Sequence, residues 1–247
     1  MKRVVVAAGA VATCGAIAVA GARPSLKRHL AAGTLPGRSG SWINSYLGRP
    51  GYRLMAGVLE LGPEDELLDV ACGWGEFLVV HARTARRVAG IDWSEEKVGL
   101  ARERLADRIA AGTADIAHGD AANLPWDDNT FTAVTCMDAF PFLTDIDRVI
   151  SEMLRVLRPG GQVVMQIGMR WRDGPPKHML HPRSDVVDVS DEASVRALFE
   201  KAGFVEVSMV YGPASANRAG AVANHMMVGS DEVRLVRAVK PGAATNR

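Results

Sequence analysis

Cysteine is scarce in this chain: Cys14, Cys72 and Cys136 are the only three in 247 residues, and none forms a Cys-x-x-Cys pair. That spacing excludes a disulfide framework and a cysteine-based zinc site, and it leaves three small apolar groups suited to burial. Excess charge is missing too. With 29 Lys+Arg against 28 Asp+Glu the formal net charge is +1, and no long basic run occurs. The chain therefore lacks the means to neutralise a track of phosphates, and no nucleic acid partner is expected. The arginines at 83–87 and around Arg102 and Arg104 read as solvated helix faces. Length sets a further bound, because single-domain cores stop growing at about 250 to 300 residues, so two full enzymatic domains do not fit.

Long uncharged runs are confined to the amino terminus. Lys2 and Arg3 precede residues 4–22, mostly Ala and Val with Gly9, Gly15 and Gly21 inside. As a helix this stretch nearly matches a hydrocarbon core, although its hydrophobicity is weak. Residues 1–23 are expected to anchor the chain at a membrane, and Arg23, Lys27 and Arg28 after the run favour a catalytic domain on the cytoplasmic side. Two alternatives stay open: a helix packed on the domain or on a second subunit, and a cleaved signal ending near Ala18-Val19-Ala20. Residues 24–51, rich in Gly, Ser, Pro and Arg, read as a connector.

Beyond it, helical and strand periodicities alternate. Helices are predicted at 52–61, 77–86, 95–111, 145–157 and 192–202. Strands are predicted at 66–71, 87–91, 116–118, 131–136, 162–167 and 204–211, with a final apolar stretch at 225–228. This alternation implies crossover connections and a mainly parallel sheet covered on both faces. Residues 52–230 are assigned to that domain and 231–247 to a tail.

In an open α/β sheet the ligand lies outside the carboxyl ends of the strands, near the point where strand order reverses. At the first strand end stand Asp69, Ala71, Gly73 and Gly75. Small residues there let a ligand approach the backbone, and the helix start offers N–H groups to an anion. Asp92 ends the second strand, at the distance from the glycines expected of a ribose-binding acid. Asp120 follows the third strand and can accept from an exocyclic amine. Singly, each acid also suits a helix cap or a loop charge; three at consecutive strand ends point to one nucleoside.

The runs Leu68-Asp69-Val70-Ala71-Cys72-Gly73-Trp74-Gly75, Gly90-Ile91-Asp92-Trp93-Ser94, Gly119-Asp120-Ala121 and Leu154-Arg155-Val156-Leu157-Arg158-Pro159-Gly160-Gly161 resemble the successive signatures of class I S-adenosylmethionine-dependent methyltransferases. The resemblance covers residues 52–228. It implies a Rossmann-like, doubly wound, seven-stranded sheet and S-adenosylmethionine as cofactor. Asp69, Gly73 and Gly75 would shape the methionine pocket and Asp92 would bind the ribose. Trp93 would lie beside the adenine, and Asp120 and Ala121 would hold its amine and ring nitrogen. Cys136 and Met137 would face the cofactor through their backbone. Ala71 departs from the family's usual glycine, and its small methyl is expected to leave binding intact.

Methyl transfer from a sulfonium needs alignment more than a universal catalytic residue. Where the acceptor is a hydroxyl or an acidic carbon, His178, His181, Asp138 and Asp173 are candidate bases. The His178 and His181 spacing has no evident third ligand, so no metal is expected. The signatures lie closest to quinone-biosynthesis and other small-molecule methyltransferases, which makes a small, lipophilic acceptor the expected partner. Two rivals are a catalytically silent scaffold of the same fold and an NAD(P)-dependent oxidoreductase, whose third fingerprint glycine would fall on Leu78.

Overall fold

The computed structural model describes residues 50–137, 139–140, 143, 145–169, 191–213 and 232–242, all within one compact unit, Leu47–Arg247. The apolar segment 4–22, most of the connector and the apolar stretch 225–228 lie outside the described residues.

Residues 50–59 form helix α1. Strand β1 (Glu66–Val70) follows, then α2 (Glu76–Val80), β2 (Arg87–Asp92), α3 (Glu95–Arg104), α4 (Ala106–Ala110), β3 (Ala114–His118) and β4 (Phe131–Cys136). After α5 (Ile146–Val156) come β5 (Leu157–Met169), α6 (Glu192–Ala202), β6 (Val205–Pro213) and β7 (Glu232–Val239). The seven strands form one sheet in the order β3-β2-β1-β4-β5-β7-β6. The pairs among β1 to β5 are parallel, whereas β7 runs antiparallel between β5 and β6.

All five residues of β1 are buried, as expected of a central strand covered on both faces. Leu67, Val88, Ala133 and Val164 pack under Met55 and Leu59 of α1, Phe77 and Leu78 of α2 and Val98 of α3. Their neighbours Leu68, Ala89, Val134 and Val163 face Ile150 and Met153 of α5 and Phe199 of α6. One residue of slip would exchange these two cores, so the register is strongly specified.

Three expectations need correction. Residues 231–247 are not merely a tail, because β7 fills the slot between β5 and β6. Arg234 and Arg237 interrupt its apolar pattern, yet Arg234 is buried and Arg237 Nε donates to Gln162 Oε1 at 2.8 Å. A partner across the sheet thus absorbs a charge that looks solvent-directed in the linear sequence. The helix predicted at 77–86 ends at Val80, and the one predicted at 95–111 breaks at Leu105. The arginines near 102 and 104 are also more than a wetted face. Arg102 holds Ile116 O through Nε and Nη2 at 3.0 and 2.6 Å, and Arg104 Nη1 reaches Trp74 O at 3.0 Å.

The turn at the start of β5 is clamped by the chain end. Gly160 N–H donates to Lys240 O at 2.9 Å and Lys240 N–H to Gly161 O at 2.8 Å. The Lys240 ammonium donates to Leu157 O at 2.7 Å and Asn129 Oδ1 at 2.8 Å, placing a cation at the carboxyl end of α5 where the helix dipole favours one. A Cβ at Gly161 would lie 2.9 Å from both Arg158 O and Thr132 O, which are backbone atoms with little freedom to yield. Gly161→Ala is therefore expected to destabilise the protein by about 1 to 3 kcal/mol, read as a lower urea midpoint at unchanged slope.

Candidate active site

Strand order reverses between β1 and β4, and the crevice above their carboxyl ends is the place where this architecture binds ligands. Alternation along each strand puts Asp69, Asp92, Thr135 and Met137 on one face of the sheet, the face that α1 and α2 cover.

The loop from β1 to α2 is built on left-handed backbone. Ala71, Gly73 and Gly75 have φ of 58°, 55° and 73°. Glycine takes this conformation freely, whereas the Ala71 methyl costs about 1 to 2 kcal/mol; that strain is the physical reason a glycine suits the position. A Cβ at Gly73 would meet no atom within 4 Å, so the loop faces open space there.

Asp92 organises this loop. It is 4% exposed, and its two oxygens accept from Gly73 N–H and Ser94 N–H, each at 2.9 Å. Each carboxylate oxygen keeps a second lone pair for another donor. Asp69 lies deeper, 3% exposed, with Thr135 Oγ1 donating to its Oδ1 at 2.8 Å. Burial pushes the Asp69 carboxyl up to about 7; the Thr135 hydrogen bond opposes the rise and the nearby Asp92 charge adds to it.

Asp120 occupies the adjoining loop, exposed, with Oδ1 accepting from Ala122 N–H at 2.9 Å. Gly119 N–H donates to Asp92 O at 3.1 Å, which joins this loop to the end of β2. Trp93 is 71% exposed, and its carbonyl is 2.9 Å from His118 Nε2. Ala121 is half-buried against the α5 core, and Cys136 and Met137 are buried at the end of β4. The structure therefore gathers Asp69, Asp92 and Gly73 closely, with Trp93, Asp120 and Ala121 on adjoining loops. Asp138, Asp173, His178 and His181 lie outside the described residues. Among the described residues no group of His, Cys, Asp and Glu is placed to hold a metal.

Thr135 escaped sequence reasoning. A β-branched residue in a buried strand looks like simple strand propensity, and only the register of β4 on β1, which pairs it with Asp69, makes it a hydrogen-bond donor.

An acid whose pKa is higher folded than unfolded stabilises the fold fully below its unfolded value, and that contribution is lost as pH rises through the folded value. For Asp69 the window runs from 3.8 to about 7. Across it Asp69 is expected to withdraw up to roughly 4 kcal/mol at about 1.36 kcal/mol per pH unit. Asp69→Asn, still able to accept from Thr135, should remove that slope and exceed wild type in stability at pH 8, as urea titrations at a series of pH values would register.

Residues 68–165 match the family model described as a methyltransferase domain. A demethylmenaquinone methyltransferase of Symbiobacterium thermophilum is 37% identical over 105 residues, which are 41% of this chain and 42% of that relative. The chain thus covers less than half of that relative's length. Among solved structures, the cyclase SpnF aligns with 78% of this chain and 81% of its own, at a TM-score of 0.59 and 24% identity. A Haemonchus contortus phosphoethanolamine N-methyltransferase 2, solved with phosphomonomethylethanolamine and S-adenosylhomocysteine, aligns with 82% of this chain and 57% of its own. Its TM-score is 0.60 at 17% identity. At such identities the structural likenesses concern the fold, and the sequence matches identify the domain. Residues 68–165 thus match a methyltransferase domain, and the sheet shares its fold with these solved structures.

Proposed function

We propose that this protein is an S-adenosylmethionine-dependent methyltransferase acting on a small, lipophilic acceptor of the quinol kind. The observation that carries the reading is the pair of buried carboxylates, Asp69 and Asp92, set around the open left-handed loop at Gly73 within a methyltransferase domain. When bound, the cofactor supplies a methyl group on a positively charged sulfur, a leaving group that needs no further activation.

The residues present fit that group. Asp92 keeps lone pairs for the ribose hydroxyls, and its bonds to Gly73 and Ser94 hold it in place to receive them. A Cβ at Gly73 would meet no atom within 4 Å, which leaves room there for the methionine part, and Asp69 and Gly75 are assigned to the same pocket. Asp69 is poised near neutrality, so a cation brought beside it favours its ionised form. Trp93, Asp120 and Ala121 are assigned to the adenine and the Met137 backbone to the donor side of the crevice. For a hydroxyl acceptor, His178, His181 and Asp138 remain the candidate bases.

The name of the Symbiobacterium thermophilum relative supports a quinol-like acceptor. Against the oxidoreductase, Leu78 stands where a third glycine would be needed, and it is a buried core residue of α2. The scaffold reading keeps the fold without the chemistry. Methyl transfer from labelled cofactor into a cell extract separates the two, since a scaffold labels nothing. Asp92→Ala is expected to weaken binding of S-adenosylhomocysteine by about 1 to 3 kcal/mol in calorimetry; unchanged affinity would remove Asp92 from the site.

We also assign residues 4–22 to membrane attachment, which suits a lipophilic acceptor by bringing the catalytic domain to the bilayer surface. Among the described residues no helix is long and apolar enough to cross a membrane. Removal of residues 1–22 is expected to move the protein from the membrane pellet to the supernatant on sedimentation, and retention in the pellet would argue against this role.

A further inference from the structure

Two glutamines stand four residues apart on β5 and so share one face of the sheet, the face of Asp69, Asp92 and Met137. Gln162 is fully engaged. Its Nε2 donates to Leu59 O at 3.0 Å, and its Oε1 accepts from Arg237 Nε at 2.8 Å. Gln166 is more deeply buried, at 3% exposure, and its amide has no hydrogen-bond partner among the described residues, although its nitrogen and oxygen are not fully sealed from solvent. Buried amides are almost always paired, because water once lost must be replaced. Gln166 keeps some access at the edge of the crevice, on a strand whose other glutamine is doubly paired, so its amide can serve a ligand there.

Its place names the ligand's location. The register sets Met165 against Cys136, which puts Gln166 level with Met137, one residue past the end of β4. A Cβ at Gly51 of α1 would lie 3.6 Å from Gln166 Oε1 and 3.6 Å from both Sδ and Cε of Met137. The amide oxygen, the thioether and the bare glycine therefore meet at one point, at the carboxyl edge of the sheet. That point borders the crevice on the side away from Asp92, since β4 and β5 follow β1 in the sheet order.

The chemistry of the two side chains selects the occupant. A carboxamide donates and accepts but does not ionise near neutrality, so it suits a neutral hydroxyl or carbonyl and takes no proton. A thioether is polarizable and packs well against an aromatic ring. Resting on the methyltransferase reading above, we propose that Gln166 is the acceptor-positioning residue, hydrogen-bonding a ring hydroxyl of an aromatic acceptor whose ring packs on Met137.

The test uses the full chain saturated with S-adenosylhomocysteine and two probes measured anaerobically by calorimetry, 1,4-dihydroxynaphthalene and its dimethyl ether. Wild type is expected to bind the diol about tenfold more tightly than the ether, the worth of one good hydrogen bond. Gln166→Met keeps the volume and removes the amide. It should reduce the preference to less than about twofold while leaving S-adenosylhomocysteine affinity and the melting temperature no lower than in wild type. Gln162→Met serves as the structural control, with a lower melting temperature and the diol preference retained. A preference that survives Gln166→Met overturns the assignment. Wild type that binds S-adenosylhomocysteine but shows no preference for the diol overturns the hydroxylated-ring acceptor and Gln166 with it, and leaves the methyltransferase reading standing. Failure of wild type to bind S-adenosylhomocysteine overturns both.

Discussion

A single carboxylate ties the site together. Asp92 ends β2, and its side chain takes the N–H of Gly73 from the loop after β1 and the N–H of Ser94 at the start of α3, while its own carbonyl takes Gly119 N–H from the loop after β3. Three successive strand ends are thus held by one residue, and the loop at Gly73 keeps its left-handed shape because a buried anion draws that N–H inward. Charge-assisted bonds from backbone N–H groups are the stronger kind, and they hold Asp92 at 4% exposure.

The second carboxylate is held differently. Asp69 has the hydroxyl of Thr135 and a neighbouring negative charge, so burial leaves it poised between neutral and ionised near physiological pH. A site built from one carboxylate engaged by two backbone N–H groups and one buried acid near its titration point complements a ligand that carries positive charge. The left-handed Ala71 stores a cost of the sort common where function competes with folding.

The cost is carried by a core that is specified on both faces. The parallel strands β1 to β5 bury their odd and even residues under different helices, which fixes register and therefore which side chains reach the crevice. At the far side, β7 closes the sheet between β5 and β6, and Lys240 just beyond it binds the turn at Gly160 and the end of α5.

Much of this was legible in the linear order of residues. Alternating periodicities identified five of the helices and six of the strands to within a few residues, except where α2 stopped early and the predicted 95–111 helix broke at Leu105. The glycines and acids marked the carboxyl ends of the strands, because only small residues and short carboxylates suit close approach to a nucleoside. Local patterns carry such information since they record the demands of turns, caps and burial on neighbouring residues. What they do not record is which distant segment supplies a partner. Arg237 reads as solvent-directed until Gln162 is found diagonally across from it on β5, Thr135 reads as strand filler until β4 lies on β1, and Gln166 is unremarkable until Met137 and Gly51 arrive beside it. The sequence by itself determined the class of fold and the chemistry gathered at its edge; the tertiary structure decided which groups are paired, which are charged and which are left for a ligand, because pairing and desolvation depend on contacts made across the sheet.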